Sequence, residues 1–325
     1  MTQQLGARGV AEAAFSPCQR HRAISLHGRD TYDVAQRLYG RAAPGKSDIA
    51  FRVGNAFEAA LVRPDTNGAP ARLLRSVYTR AGLLGDADTA ADLSSAGADA
   101  LRRIAADRAA DRPHPKLLLQ ARVPLEVDGI STHIIPDVLV AHGDIGWRVG
   151  DIKVYVDRDG HTNPYDIAHT CRQIAVGVVA LRRQLAHWGI DADVPAAADL
   201  VFRRPGPERA TVHTLPIPAE ITAVETILLS AGDFLAAYPT IATAADVDAI
   251  PATRGEHCAA SCGMAAACGD PDSAYRHLVG SAHQQLETAG IPATRAAALA
   301  AGATPTTADE AAAARWLQRG WSGAA

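Results

Sequence analysis

The sequence has little lysine, few aromatic residues and no long apolar run. Only Lys46, Lys116 and Lys153 among the 32 Lys and Arg residues are lysine. No segment approaches the roughly 18 to 20 apolar residues that span a bilayer, so we expect no membrane-spanning helix. The formal net charge of −3 argues against a basic protein that coats nucleic acid over its whole surface. It still permits a local positive patch.

The first residues, MTQQLGARGVAEAAF, lack the basic segment and following apolar segment of a secretory signal. We therefore expect a cytoplasmic location. A chain of 325 residues, 48% of them hydrophobic, can bury a sizeable core in one large domain or two small ones.

Strand-like and helical patterns alternate along the chain. Helical periodicity covers 31–42 and 54–63, and an alanine-rich segment from about 86 to 110 indicates another helix or helix pair. Three β-type runs follow, separated by the Asp-Gly or Gly-Asp pairs typical of hairpin turns. These runs are 116–129, 130–143 and 146–160. A helix over 165–189, strands over 198–206 and 209–217 and a helix over 218–238 complete the pattern. It predicts an α/β (α+β) fold with a mixed central sheet flanked by helices.

Three charged residues interrupt two of these β-type runs. Asp137 is predicted near the middle of one strand, and Asp151 and Lys153 lie in the next. Residues two apart on a strand share a face, and an antiparallel neighbour can bring Asp137 beside them. Burying two carboxylates and an ammonium costs several kcal/mol unless they are paired or bind an ion.

A divalent cation bound by these groups would offset the cost of burying their charges. Mg²⁺ and Mn²⁺ prefer oxygen ligands, and the carbonyl of Ile152 is available between the two charged strand residues. Lysine suits the remaining position because its pKa shifts readily, whereas a guanidinium stays charged. The alternatives are a turn aspartate at Asp137 and a surface ion pair between Asp151 and Lys153. Glu58, one helical turn after Gly54, faces either solvent or the same site.

These residues resemble the PD-(D/E)XK nuclease superfamily, specifically its RecB-like branch. That branch has a helix with G-x-x-x-(H/E), a strand with the first Asp, a D/E-x-K strand and a helix carrying glutamine, in that order. The matching residues are Gly54, Glu58, Pro136, Asp137, Asp151, Ile152, Lys153 and Gln173. The branch often has tyrosine four residues after the glutamine, where this chain has Gly177.

The resemblance implies a restriction-endonuclease-like core and a metal-dependent DNA exonuclease acting on ends or single strands. It implies that Mg²⁺ or Mn²⁺ is held by Glu58, Asp137, Asp151 and Ile152, and that Lys153 orients or deprotonates the attacking water. DNA and a helicase or other DNA-processing protein are the implied partners. A DNA-binding or assembly subunit without turnover is the alternative. The residues expected to position substrate or contact the DNA backbone are Gln173, Tyr165, Arg172, Arg182, Arg203 and Arg204.

Three of the five cysteines crowd into HCAASCGMAAACGD. In a cytosolic chain such crowding points to a metal before a disulfide. RecB-like nucleases of the AddB type and related CRISPR-associated exonucleases resemble this chain in having one N-terminal and three C-terminal cysteines that hold a [4Fe–4S] cluster. The implied ligands are Cys18, Cys258, Cys262 and Cys268, although the spacing is C-x₃-C-x₅-C here and usually C-x₂-C-x₅-C in the family. Structural zinc, with four thiolates or with His257 replacing one, remains open. Cys171 is predicted to be a small core residue.

Two further motifs are weaker. GRAAPGKS, residues 40–47, matches the P-loop pattern and would make the chain an ATPase that uses Lys46. That motif needs a buried strand before it and a helix opening at the lysine, and neither is predicted. The tail over 278–302 resembles a helix-hairpin-helix element.

The predicted division of the chain has four parts. They are an N-terminal segment with one cluster cysteine (1–50), a nuclease core (51–245), a cysteine segment (246–270) and a helical tail (271–325).

Overall fold

The computed structural model describes residues 5–40, 48–144, 146–156, 164–204, 210–253, 262–265, 267–268, 289–300 and 302–321. The chain divides into two compact units. The first consists of Met1–Phe15, Ser25–Gly28 and Lys46–Pro239. The second consists of Ser16–Ile24, Arg29–Gly45 and Thr240–Ala325.

The helices within the described residues are α1 (Ala7–Phe15), α2 (Gln19–Leu26), α3 (Thr31–Tyr39), α4 (Asp48–Val62), α5 (Arg72–Arg80), α6 (Ala98–Ala109), α7 (Pro164–His187), α8 (Pro218–Ala237), α9 (Ala244–Asp248), a short 3₁₀ helix (Gly263–Ala265), α10 (Ala293–Ala300) and α11 (Ala308–Trp321). The strands are β1 (Ala90–Asp92), β2 (Leu117–Leu119), β3 (Val123–Val127), β4 (Ile130–Ile134), β5 (Val138–His142), β6 (Gly146–Val156), β7 (Ala197–Arg203) and β8 (Ala210–Pro216).

Six of these strands form one mixed sheet in the order β1-β2-β5-β6-β7-β8. The β1–β2 and β6–β7 pairs are parallel and the other three are antiparallel. The predicted fold class, a mixed sheet flanked by helices, is confirmed. A parallel pair needs a long crossover, and α7 provides it between β6 and β7.

Two apolar cores cover the two faces of this sheet. One contains Trp147 and Val149 of β6 together with buried residues of α7, such as Ile174. The other contains Ile152 of β6 with Leu61 of α4 and Tyr78 of α5. Because side chains alternate along a strand, β6 contributes to both cores. This arrangement places α4 and α7 on opposite faces of the strand that carries Asp151.

The prediction of three consecutive hairpin strands over 116–160 is wrong in detail. The first two runs each break in two, so the region contains five strands, and β3 and β4 form a separate two-stranded sheet. One break is at Gln120, whose φ of 51° leaves the extended region. The predicted turn between β3 and β4 is present at Asp128 and Gly129, which both have positive φ.

The alanine-rich segment from about 86 to 110 is only partly helical. Its second half forms α6, but Ala90–Asp92 forms the strand β1. Each residue of β1 pairs with a residue of β2, starting with Ala90 opposite Leu117. This strand depends on a partner more than twenty residues away, so alanine content alone could not predict it.

In the second unit, α10 and α11 pack through Ile291, Ala296, Leu299 and Ala314. Arg295 of α10 donates to both carboxylate oxygens of Glu310 at 2.8 and 2.7 Å. The predicted helix after Gly290 is therefore present as α10, whereas 278–288 of the predicted helical hairpin lie outside the described residues. Among the helices that the structure describes, none combines the length and hydropathy needed to cross a membrane.

Candidate catalytic and metal site

Asp137 lies one residue before β5, and not in the middle of a strand as predicted. Pro136 precedes it, and a residue without an N–H is tolerated best where a strand has not yet begun. The Oδ2 atom of Asp137 accepts a hydrogen bond from the backbone N–H of Ile152 at 2.9 Å. Its carboxylate is therefore fixed against the middle of β6.

Asp151 and Lys153 lie on β6, and the structure brings Asp137 beside them. Val138 is opposite Gly150 in the antiparallel β5–β6 pair, which places Asp137 opposite Asp151. The Nζ atom of Lys153 donates to Oδ1 of Asp151 at 2.7 Å. Asp151 is only 8% exposed, so this contact is not a surface ion pair.

Glu58 reaches the same region from α4 through a residue that the sequence interpretation missed. The side-chain nitrogen of Gln120 donates to Oε1 of Glu58 at 3.2 Å and to Oδ1 of Asp137 at 3.1 Å. Gln120 ends the run KLLLQ directly after β2. A polar residue at the end of an apolar strand was the available signal, but it does not say which groups the amide contacts.

The carboxylates carry more negative charge than their surroundings neutralise. Burial raises the pKa of Asp151 well above its usual range, and the charge of Asp137 and a hydrogen bond with it raise it further, while Lys153 lowers it. Burial also raises the pKa of Glu58, with a smaller contribution from Asp137. In their ionised forms, these three carboxylates carry more charge than the ammonium of Lys153, the cation that the described contacts place beside them, can offset.

Oxygen donors with excess negative charge suit a hard divalent cation. As the side chains lie, however, the described residues contain no group of three or more His, Cys, Asp or Glu arranged to hold a metal ion. The Gln120 amide stands between Glu58 and Asp137, and Asp151 is bonded to Lys153. Ligation by all three carboxylates would bring these side chains closer together, and the Gln120 contacts to Oε1 of Glu58 and Oδ1 of Asp137 leave the second oxygen of each acid for a cation.

A cavity of about 130 Å³ adjoins the carboxylates. Its polar lining comes from Asp137, Asp151, Lys153 and Gln173, and its remaining lining residues, Ala7, Ile134, Ile135, Pro136, Val149, Gly150, Ile174 and Gly177, have no polar side chain. Gln173 thus lies beside the charged residues, as predicted. Its side-chain nitrogen is 2.9 Å from Nε2 of His169, one helical turn earlier, and the sequence interpretation did not include this histidine.

Gly177 allows α7 to approach β6 closely. A Cβ atom at this position would lie 3.0 Å from Cγ1 of Val149. That distance is tighter than ordinary van der Waals contact, so a larger side chain here would push the helix away from the strand. The close approach helps to bring Gln173, one turn before Gly177, to the edge of the cavity.

The arginines predicted to contact the substrate are not among the residues that line this cavity. The guanidinium of Arg172 stacks over the ring of Phe15 at 4.6 Å, and Arg182 donates to the carbonyl of Val194 at 2.9 and 2.6 Å. Both therefore hold parts of the first unit together. Arg203 and Arg204 are exposed. The side chain of Tyr165 lies outside the described residues.

Three of the four predicted cluster cysteines are described, and all belong to the second unit. Cys18 and Cys262 are buried and Cys268 is partly buried. Arg20, two residues after Cys18, donates to Sγ of Cys268 at 3.3 Å, so these parts of the chain are neighbours. Cys258 and His257 lie outside the described residues. Cys171 is buried in the α7 core of the first unit.

The P-loop interpretation of residues 40–47 lacks its structural context. The element that ends before Gly40 is the helix α3, where a P-loop requires a buried strand. Gly40 itself has a φ of 65° and ends that helix. Lys46 lies outside the described residues.

No family model matches the chain, and no curated protein matches it. Among solved structures it is similar to the crystal structure of LHK-Exo in complex with dAMP, with 14% identity, a TM-score of 0.34 and coverage of 76% of this chain and 91% of that one. It is also similar to the crystal structure of SSO0001, with 16% identity, a TM-score of 0.24 and coverage of 48% and 60%. Because both TM-scores are low, neither likeness carries an argument about this site.

Proposed function

We propose that this chain is a Mg²⁺- or Mn²⁺-dependent DNA nuclease that acts on free ends or single strands. The observation that supports it most is the convergence of Asp137, Asp151, Lys153 and Gln173 on one cavity. Glu58 adjoins this group through Gln120. The chain order of these residues and the helix α7 after the D-x-K strand also match the RecB-like pattern.

In this proposal, Glu58, Asp137, Asp151 and the Ile152 carbonyl hold the cation. When bound, the cation would supply an activated water and stabilise charge on the phosphate. Lys153 is bonded to Asp151, so it can orient the attacking water beside that carboxylate and offset negative charge on the phosphate oxygens. Gln173, held by His169, positions the substrate at the cavity edge.

The second unit supports a separate proposal, that Cys18, Cys258, Cys262 and Cys268 hold a [4Fe–4S] cluster. Such clusters require thiolate ligands. The Arg20 to Cys268 hydrogen bond joins the N-terminal cysteine region to the C-terminal one. Gly263, next to Cys262, donates to the hydroxyl of Thr31 at 2.9 Å and adds a second connection. A cluster at this position would fasten segments distant in sequence.

The nuclease proposal is tested by incubating the protein with end-labelled single-stranded and double-stranded DNA, with Mn²⁺ and with a chelator. We expect Mn²⁺-dependent cleavage that Asp151→Asn abolishes. Cleavage in the chelator would reject the metal mechanism. Mn²⁺ binding and DNA binding without cleavage would instead support the DNA-binding or assembly subunit, which would recruit a helicase or another processing enzyme.

The cluster proposal is tested by absorbance near 400 nm and by iron and zinc analysis of anaerobically purified protein. Brown protein with iron, lost in Cys262→Ala and kept in the control Cys171→Ala, is the expected result. Colourless protein loaded with zinc would favour the structural zinc site.

A further inference from the structure

Gln120 adopts a backbone conformation that L residues with a side chain rarely take. Its φ is 51°, in the left-handed region, at the point where the chain leaves β2 and turns toward β3. Glycine would adopt this conformation without strain. A glutamine here suggests that its side chain has a role that offsets the strain, since such strain concentrates at functional sites.

The side chain of Gln120 connects two structural elements. Its nitrogen donates one hydrogen bond to Glu58, on α4, and another to Asp137, just before β5. The backbone N–H of Gln120 also donates to the carbonyl of Asp137 at 3.1 Å. Gln120 is thus fixed to Asp137 at two points while its amide reaches across to Glu58.

An amide joins these carboxylates without changing their charge. A primary amide offers two N–H donors and carries no charge, so it can hold one oxygen of each acid. A lysine or arginine at this position could make similar contacts, but it would neutralise the charge that attracts a cation. Gln120 therefore aligns the carboxylates and leaves their negative charge available.

We propose that Gln120 is a positioning residue that holds Glu58 and Asp137 at a fixed separation and so prepares them to bind the catalytic cation. This inference rests on the proposed nuclease function and adds a residue to its site. Groups that orient metal ligands through hydrogen bonds typically change metal affinity by about 10- to 100-fold when they are mutated.

Three substitutions separate this role from a contribution to folding. Gln120→Met keeps the length of the side chain and removes both donors. Gln120→Gly removes the side chain and relieves the backbone conformation. Gln120→Asn keeps an amide in a residue type that tolerates the left-handed region. Gln184→Met, on α7 and remote from the carboxylates in sequence, is the matched control.

The readouts are the Mn²⁺ dissociation constant by calorimetry without DNA, the Tm of the metal-free protein, and kcat and KM for cleavage. We expect the Met and Gly variants to bind Mn²⁺ about 10- to 100-fold more weakly. The metal-free Tm of the Gly variant should stay near the wild-type value because its backbone strain is relieved, and that of the Met variant should fall only slightly. Their kcat at moderate Mn²⁺ should fall more than KM for DNA rises, with recovery at high Mn²⁺. The Asn variant should lie between them and the wild type.

Wild-type Mn²⁺ affinity in both the Met and the Gly variants would overturn the inference. So would a loss of affinity that occurs only together with a large fall in Tm, because that pattern indicates a folding role. If the wild-type protein itself neither binds Mn²⁺ nor cleaves DNA, the proposed function fails and this inference fails with it.

Discussion

Two groups of charged residues beside strand β6 have opposite chemistry, one of them buried and the other half-buried except for Asp151. In the first, Arg148 of β6 donates from Nε to Oδ2 of Asp199 at 2.9 Å, and its Nη2 contacts both Asp199 and Thr214. Thr214 also donates to Oδ1 of Asp199 at 2.7 Å. One positive and one negative charge therefore satisfy each other. This group requires no further ligand.

In the second group, Asp151 of the same strand lies with Asp137, Glu58 and Lys153. Among the described contacts, three carboxylates lie with the ammonium of Lys153, and the pKa of Asp151 and that of Glu58 are raised. A folded protein keeps such an imbalance at a cost to its stability, and sites of this kind are often functional. The comparison teaches that balance of charge distinguishes the structural ion pair from the candidate active site.

The second group, Asp151 with Asp137, Glu58 and Lys153, is called the unbalanced group, and the Arg148–Asp199 group is called the balanced group. The largest expected effect concerns the unbalanced group. Lys153→Ala should reduce Mn²⁺-dependent cleavage by about 10³-fold, because it removes the group that orients water and offsets phosphate charge. DNA binding should change little, and the metal-free Tm should fall because buried Asp151 loses its ammonium partner. The control is Lys116→Ala, whose partly exposed side chain pairs with Asp88 at 3.1 Å. Equal cleavage by the two variants would remove Lys153 from the site.

A substitution in the balanced group should change the free energy of unfolding. Asp199→Ala leaves Arg148 buried without its partner, so the free energy of unfolding should fall by about 3 to 5 kcal/mol in a denaturant titration. Asp33→Ala, which breaks the more exposed pair with Arg37, should cost less than about 1 kcal/mol. A small effect of Asp199→Ala would mean that the buried pair does not stabilise the sheet.

The unbalanced group should make its own contribution to the pH dependence of the metal-free protein. Because the folded-state pKa of Asp151 and that of Glu58 are raised, these two carboxyl groups bind more protons in the folded state than in the unfolded chain. Their contribution to stability is then fully present below the unfolded pKa, about 4, and is lost as pH rises through the folded values. Asp151→Asn should raise metal-free stability at neutral pH by on the order of 1 kcal/mol and flatten this profile. Thermal unfolding at several pH values, with a chelator present, measures both changes. An unchanged or steeper pH profile in Asp151→Asn would contradict the contribution assigned to Asp151.

The smallest change in stability is expected for a substitution of Tyr78, whose hydroxyl is affected by the charges of acids from both groups. The hydroxyl of Tyr78 is buried and has no hydrogen-bond partner among the described residues. Burial and the charge of Asp199 raise its pKa well above the usual range. Tyr78→Phe should therefore be neutral or raise the free energy of unfolding by up to about 1 kcal/mol. A clear loss of stability in the same titration would show that the hydroxyl has a partner, such as a bound water.

The sequence predicted the elements with strong local signals and missed those that depend on distant partners. The helix α7 was predicted to end at Gly189, whose φ of 69° follows the helix. The alternation of side chains on β6 correctly placed Asp151 and Lys153 on one face. The short strand β1 and the break at Gln120 were missed, because each is defined by pairing with another part of the chain.

The candidate site also combines features that the local sequence specifies with features that depend on distant parts of the chain. The sequence by itself determined which residue types were present: acids at 58, 137 and 151, a lysine at 153, and their chain order. Only the tertiary structure decided that Asp137 precedes its strand and that Glu58 reaches it through an amide. It also decided that Arg148 has an acid of its own, whereas Asp151 shares the Lys153 ammonium with neighbouring acids. Gln120 lies 62 residues from Glu58 and 17 from Asp137. Hydrogen bonds and pKa values depend on distances and burial across such separations, which local sequence patterns do not specify.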